Sequence, residues 1–291
     1  MASLKDIKRQ IRAVRQTQKL TKAMNMVAAS KLRATQGRTE SFRTYAEEHH
    51  RLMEAIGEQS QGLEHPLLRH NDDAKKVEIV AFSSDRGLCG SFNTNLSHIL
   101  DKRIMALRQQ EQAVSLFLVG RKLKEYYGRR QVEISHALTG VLGSFNYLLA
   151  QEIADTLTKE FLAGQFKEIW LLTTRFMGMA KQVPVFIPFL PLVNDPAAAG
   201  PRNRIGYLVE PDPGALFGRL IPRSLTITIY QALLESVTSE NAARMQAMDN
   251  ASKNCKEITE NLTTVYNKLR QAAVTNELLD IVNGSEALAA A

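Results

Sequence analysis

The densest group of chemically capable side chains is Ser83-Ser84-Asp85-Arg86-Gly87-Leu88-Cys89-Gly90-Ser91-Phe92-Asn93. It follows the apolar run Val77-Glu78-Ile79-Val80-Ala81-Phe82 and opens a helical pattern. In α/β folds that position holds phosphates, because free backbone N–H groups collect where a helix begins. The glycine spacing departs from the phosphate-binding fingerprints: Gly87 and Gly90 do not complete G-x-G-x-x-G, and no Gly-Lys-Ser/Thr follows. A small-molecule site and a tight structural turn or partner-contact loop built on Asp85, Arg86, Gly87, Cys89 and Gly90 both remain open. Cys89 would act as a nucleophile only beside a histidine, and the six histidines form no pattern. Asp85 and Arg86 read as an ion pair or a helix cap.

Other chemistry-bearing groups are weaker. His49 and His50 are adjacent, whereas two ligands on one helix face need i, i+4 spacing. Met24 and Met26 read as packing residues. Cys89 and Cys255 are too distant in sequence to suggest a disulfide framework or a cysteine metal site. No cofactor is expected.

Charge is more informative. Lys5, Lys8, Arg9, Arg12, Arg15, Lys19, Lys22, Lys31, Arg33 and Arg38 face only Asp6 within residues 1–38, a local balance of +9 in a chain of net +7. Like charges at i, i+4 repel, so this helix calls for an acidic surface around it. Nucleic acid is a poor candidate, since no aromatic side chain for base stacking precedes Phe42.

These residues need elements to hold them. Residues 1–36 contain no Gly or Pro, and neither do residues 223–283. A helix through the second run would reach about 90 Å and needs a partner helix to be stable. Met248, Ala251, Cys255, Ile258, Leu262, Val265, Leu269 and Ala272 step 3-4-3-4, a heptad seam. Leu4, Ile7, Ile11 and Val14 step likewise, then Gln18, Thr21 and Asn25 make the seam polar before Ala28 and Leu32. An antiparallel pair within one chain is the economical arrangement, and a homodimeric coiled coil is the other. Ser3 with Asp6 marks a helix start. Leu225–Tyr230 alternates like a strand but is expected to be helical by context.

Between these ends, strand patterns at 77–82, 114–119, 132–135 and 168–173 alternate with helical ones at 93–109, 121–127 and 146–162. Such alternation predicts a mostly parallel, Rossmann-like α/β sheet. Residues 183–190, broken by Pro184 and Pro188, make an edge strand at best. The expected divisions are an N-terminal coiled-coil helix (1–60), a central α/β domain (75–190), a connecting segment (191–222) and a C-terminal coiled-coil helix (223–291). At 291 residues, 44% hydrophobic and 23% charged, the composition is globular. No apolar run approaches the roughly 20 residues of a membrane span, and the charged N-terminus lacks a signal-peptide core.

Three stretches carry a resemblance. They are residues 17–31 (TQKLTKAMNMVAASK), residues 84–93 (SDRGLCGSFN), and residues 239–251 (SENAARMQAMDNA) leading to 270–284 (RQAAVTNELLDIVNG). With both long helices, they make the chain resemble the γ subunits of bacterial F-type ATP synthases over its whole length. The family usually has Ala after the last glycine, where this chain has Ser285. The resemblance implies a non-catalytic rotor shaft. Its paired helices would stand inside a ring of three α and three β subunits, and its α/β domain would touch the ε subunit and the c-ring. It also implies peripheral membrane association on the cytoplasmic face of the bacterial inner membrane. Ion flow would turn the shaft, driving each β site through its states for ATP synthesis, and hydrolysis would reverse it. Carried over by motif, Lys19, Lys22, Met24, Arg270, Gln271, Thr275 and Glu277 are the expected β-subunit contacts. The alternative is a nucleotide-binding α/β enzyme with coiled-coil dimerisation arms.

Overall fold

The computed structural model describes residues 3–59, 65–69, 71, 73–192 and 213–289. The chain separates into two compact units, Met1–Ala28 with Met245–Ala291, and Ala29–Arg244. Helix α1 (Leu4–Gln59) and helix α5 (Pro213–Ala289) each contribute to both units. The start of α1 is a capping box: the Asp6 N–H donates to Ser3 Oγ, and the Ser3 N–H donates back to Asp6 Oδ2, both at 3.2 Å.

Helix α5 begins at Pro213, earlier than the sequence reading placed it, and carries Pro222 inside. A proline in a helix interior costs about 3 kcal/mol. Here Ile221, Leu225, Ile229 and Leu233 are all buried on a four-residue spacing, and each contributes roughly 1.5–3 kcal/mol of burial. Packing therefore outweighs both the proline and the strand-like alternation of Leu225–Tyr230. Of the expected connecting segment, residues 193–212 lie outside the described residues, and residues from Pro213 on are helical.

Within the Ala29–Arg244 unit the remaining elements are β1 (Lys76–Phe82), α2 (Phe92–Gln109), β2 (Ala113–Val119), α3 (Arg121–Tyr127), β3 (Glu133–Leu138), α4 (Tyr147–Leu162), β4 (Glu168–Gly178) and β5 (Lys181–Leu190). A 3-10 turn at Pro66–Leu68 precedes them. The sheet order is β3-β2-β1-β4-β5. The first four strands run parallel, and β5 pairs antiparallel with β4 at the edge, where Pro184 and Pro188 are tolerated. One face of the sheet packs α2 and α3 through Leu96, Leu100 and Leu123. The other packs α4, α5 and the end of α1 through Leu157, Leu225 and Ile56. Successive connections run outward from β1 in opposite directions, so the carboxyl ends of β1 and β4 flank a topological switch point.

A carboxylate lies buried in the middle of this sheet. Glu78, on the central strand, is fully buried. One carboxylate oxygen accepts from Ser135 Oγ, while Oε2 has no hydrogen-bond partner. Burial raises its pKa from 4.5 to about 7, against the opposing hydroxyls of Ser135 and Ser115 and with a further push from Glu160; His136 opposes it. The folded protein therefore holds this proton more tightly than the unfolded chain. The stabilisation is complete below about pH 4.5 and is lost as pH rises through 7, by roughly 3 kcal/mol at most. Urea unfolding of Glu78→Gln should lose that part of the pH dependence. A variant whose stability profile between pH 5 and 8 matches the parent's would show that Glu78 titrates normally.

Candidate functional site

The loop after β1 is tied to itself. The Ser84 N–H donates to Asn93 Oδ1 at 3.1 Å, and Ser84 Oγ donates to the Arg86 carbonyl at 2.7 Å. Asn93 Nδ2 donates to Ser84 Oγ at 2.7 Å and lies 3.1 Å from Cys89 Sγ. Leu88 and Gly90 have positive φ, 62° and 59°, which closes the turn. Cys89 is buried, and burial pushes its thiol pKa up, so it is held as the thiol rather than the nucleophilic thiolate. Its hydrogen-bonding neighbours are Ser84, Asn93 and the Arg86 carbonyl, with no histidine among them. These bonds hold the loop's shape from within. Gly87 is not sterically required, since an added Cβ would meet only the Lys122 side chain at 3.9 Å.

Asp85 neither pairs with Arg86 nor caps α2. Its Oδ1 accepts from the N–H groups of Arg121 at 3.2 Å and Gly140 at 2.8 Å, and Oδ2 accepts from Leu142 N–H at 3.3 Å. These donors follow β2 and β3, so one carboxylate ties together the segments that leave three neighbouring strands. Arg244 of α5 closes the loop from another side, donating to the Arg86 and Gly87 carbonyls at 3.1 and 3.3 Å and to Glu240 at 2.6 Å. Two of the three sequence motifs thus meet here. The Arg244 contact, between residues far apart in sequence, had no signal in either motif alone.

Helices α1 and α5 also pair within this unit. Thr39 meets Thr238 at 2.9 Å, and Arg43 meets Glu235 at 2.6 Å, an antiparallel register. Arg43 Nε and Nη2 both donate to Glu235 Oε1, while Glu235 Oε2 accepts the Phe176 N–H at 2.7 Å.

In the Met1–Ala28, Met245–Ala291 unit, Asn25 Nδ2 donates to the Met245 carbonyl at 2.8 Å, so the polar seam residue is a register pin. Ile7, Thr21 and Ala28 are buried, and Leu4, Ile11, Val14, Gln18 and Asn25 half-buried, along the face read from the sequence. On α5 the seam departs from a strict heptad. Ile258 and Val265 are 47% and 45% exposed, and Thr259 and Tyr266 take the half-buried positions. A 3.6-residue period drifts off a 3.5 repeat in this way.

The outer faces hold the remaining candidates. Lys19 and Lys22 are exposed and Met24 half-buried on α1; Arg270, Gln271, Thr275 and Glu277 are exposed on α5. None of these charged residues has an ion-pair partner among the described residues, nor do Lys5, Lys8, Arg9, Arg12 and Arg15. The two sets are not brought together: Arg270 lies about 38 Å along α5 from the Asn25–Met245 contact. Beyond the reach of α1, Val274, Leu278, Leu279, Ile281 and Val282 are about half exposed or more. Their exposure was hidden in the sequence because these residues look like ordinary core positions. Ala290 and Ala291 lie outside the described residues. Among the described residues no helix is long and apolar enough to cross a membrane, and no group of three or more His, Cys, Asp or Glu is placed to hold a metal.

A family model described as ATP synthase matches residues 3–288. The chain is 42% identical over 291 residues to the ATP synthase gamma chain of Syntrophus aciditrophicus, with 99% of each covered. It belongs to the ATP synthase gamma chain family. The gamma chain of Nitratidesulfovibrio vulgaris is 40% identical over 291 residues, again with 99% of each covered. Among solved structures, a chain of the Euglena gracilis mitochondrial ATP synthase, in an assembly of OSCP, F1 and c-ring, superposes with a TM-score of 0.70. At 18% identity, covering 98% of this chain and 94% of that one, it shares the fold.

Proposed function

We propose that this chain is the central rotor shaft of an F-type ATP synthase, a non-catalytic subunit that couples ion flow to ATP synthesis and hydrolysis at the β subunits. The observation that carries the reading, beside family membership, is the Met1–Ala28, Met245–Ala291 unit. Two helices are pinned in register by Asn25 and Met245. They present cations without internal partners and end in exposed apolar side chains. Torque needs stiffness, and paired helices with no Gly or Pro over residues 4–28 and 245–283 supply it. The basic face suits acidic surfaces of an α3β3 ring, and the apolar end suits a sleeve in which it turns.

Lys19, Lys22 and Met24 at one level, and Arg270, Gln271, Thr275 and Glu277 at another, are the proposed β-subunit contacts. The sheet-bearing unit is assigned to the ε subunit and the c-ring, and so to the cytoplasmic face of the inner membrane. The nucleotide-enzyme alternative has less support, because the N–H groups of Ser84, Arg121 and Gly140 are engaged within the chain.

Met24→Lys adds a charge at a sliding contact and should lower proton pumping per ATP hydrolysed in membrane vesicles while leaving subunit recovery near the parent's. Unchanged pumping would remove Met24 from the contact. The reading as a whole is tested by purifying the tagged chain from its native membranes: an ATPase containing α and β subunits should accompany it, and its absence would contradict the assignment.

A further inference from the structure

A cavity of about 460 Å³ opens within the Ala29–Arg244 unit, at the carboxyl ends of β1, β2 and β3. Its wall draws on α1 (Lys31, Arg38), the loop after β1 (Arg86), the start of α3 (Arg121) and α5 (Arg244). Two carboxylates share the wall, Asp85 and Glu240, and both are engaged within the fold. Asp85 accepts three backbone N–H groups. Glu240 is buried and paired with Arg244 at 2.6 Å. Lys31, Arg38, Arg86 and Arg121 remain with no ion-pair partner among the described residues. Arg38 instead donates to the Tyr230 hydroxyl and lies over the Phe145 ring.

The wall sets five basic side chains, Lys31, Arg38, Arg86, Arg121 and Arg244, against the two carboxylates, so the recess keeps an excess of positive charge that attracts anions. Ser144 and the glycines Gly140 and Gly143 complete the wall, leaving room close to the backbone. The volume is that of a small-ligand site, and the cavity lies off the carboxyl ends of parallel strands. We infer that this cleft binds a phosphate-bearing small anion, held by the side chains of Lys31, Arg86 and Arg121 and not by the loop N–H groups. Guanidinium groups suit the task because they meet phosphate oxygens in pairs. An occupant would tie α1 to the loop and α3, so occupancy would stiffen the unit that carries the sheet.

Calorimetric titration of the purified full chain with inorganic pyrophosphate, inorganic phosphate and ADP tests this. Binding of at least one is expected, weakening as salt is raised. It should fall about tenfold or more in Arg86→Ser/Arg121→Ser, as expected for loss of charge-assisted bonds. It should stay unchanged in Arg129→Ser, an exposed cation outside the cavity. Lys31→Gln provides a second variant should the double one melt early. ADP binding more tightly than pyrophosphate would identify a nucleotide; equal affinities would identify the oxyanion alone. No binding of any of the three, or undiminished affinity in both cavity variants, would overturn the proposal.

Discussion

Gly120→Ala is expected to destabilise the Ala29–Arg244 unit by about 3 kcal/mol or more. Gly120 joins β2 to α3 with φ +109°, a conformation L side chains rarely adopt, and an added Cβ would lie 2.3 Å from the Ser83 carbonyl oxygen. That neighbour is backbone and cannot swing aside. The Ser83 N–H donates to the Val119 carbonyl at 2.7 Å, and the Gly120 N–H to the Leu138 carbonyl at 2.8 Å. Relieving the clash therefore means parting the carboxyl ends of β1, β2 and β3 together. The check is the urea midpoint, and a variant within about 0.5 kcal/mol of the parent would mean that the crossing has slack.

Glu235→Ala should cost about 3–4 kcal/mol. The carboxylate is buried and joins three elements: Arg43 of α1, its own helix α5, and the Phe176 N–H of β4. Truncation leaves a buried amide without an acceptor. It also leaves Arg43, whose side chain is 37% exposed, without its counter-charge. Glu235→Gln keeps an acceptor for Phe176 and should cost less than half as much. Equal losses in the two variants would show that charge, and not the amide, dominates.

These two sites differ in how far the sequence announced them. Glycine at 120 lay outside every motif, because a positive φ and a close backbone approach depend on strands brought together by the fold. Glu235 sits in the Gly- and Pro-free run read as helix, and its burial follows only from the sheet packing beneath it. By contrast, the α1 seam was legible to the residue, since period and polarity coincide along one face. The α5 seam was legible as a helix, but its buried face shifted from Ile258 and Val265 to Thr259 and Tyr266, as a 3.6-residue period requires. The parallel strands and the edge position of β5 could be read from alternation and from Pro184 and Pro188.

The loop at 83–93 was conspicuous in sequence, yet its composition could not separate ligand binding from internal bonding. The decisive fact is where Asp85 points, across to donors that follow two other strands. Glu78 carried no signal at all. One acid in an apolar strand is a common surface pattern, and only the central place of β1 buries it on both faces.

Rotation itself is the property that the shaft assignment requires. An α3β3 complex assembled with this chain and fixed to a surface would carry a bead on an introduced cysteine, Lys181→Cys, an exposed position at the start of β5. On addition of ATP the bead should turn continuously in one direction and stop when ATP is removed. ATP hydrolysis at the parent's rate, with a bead that only fluctuates without net direction, would contradict the assignment.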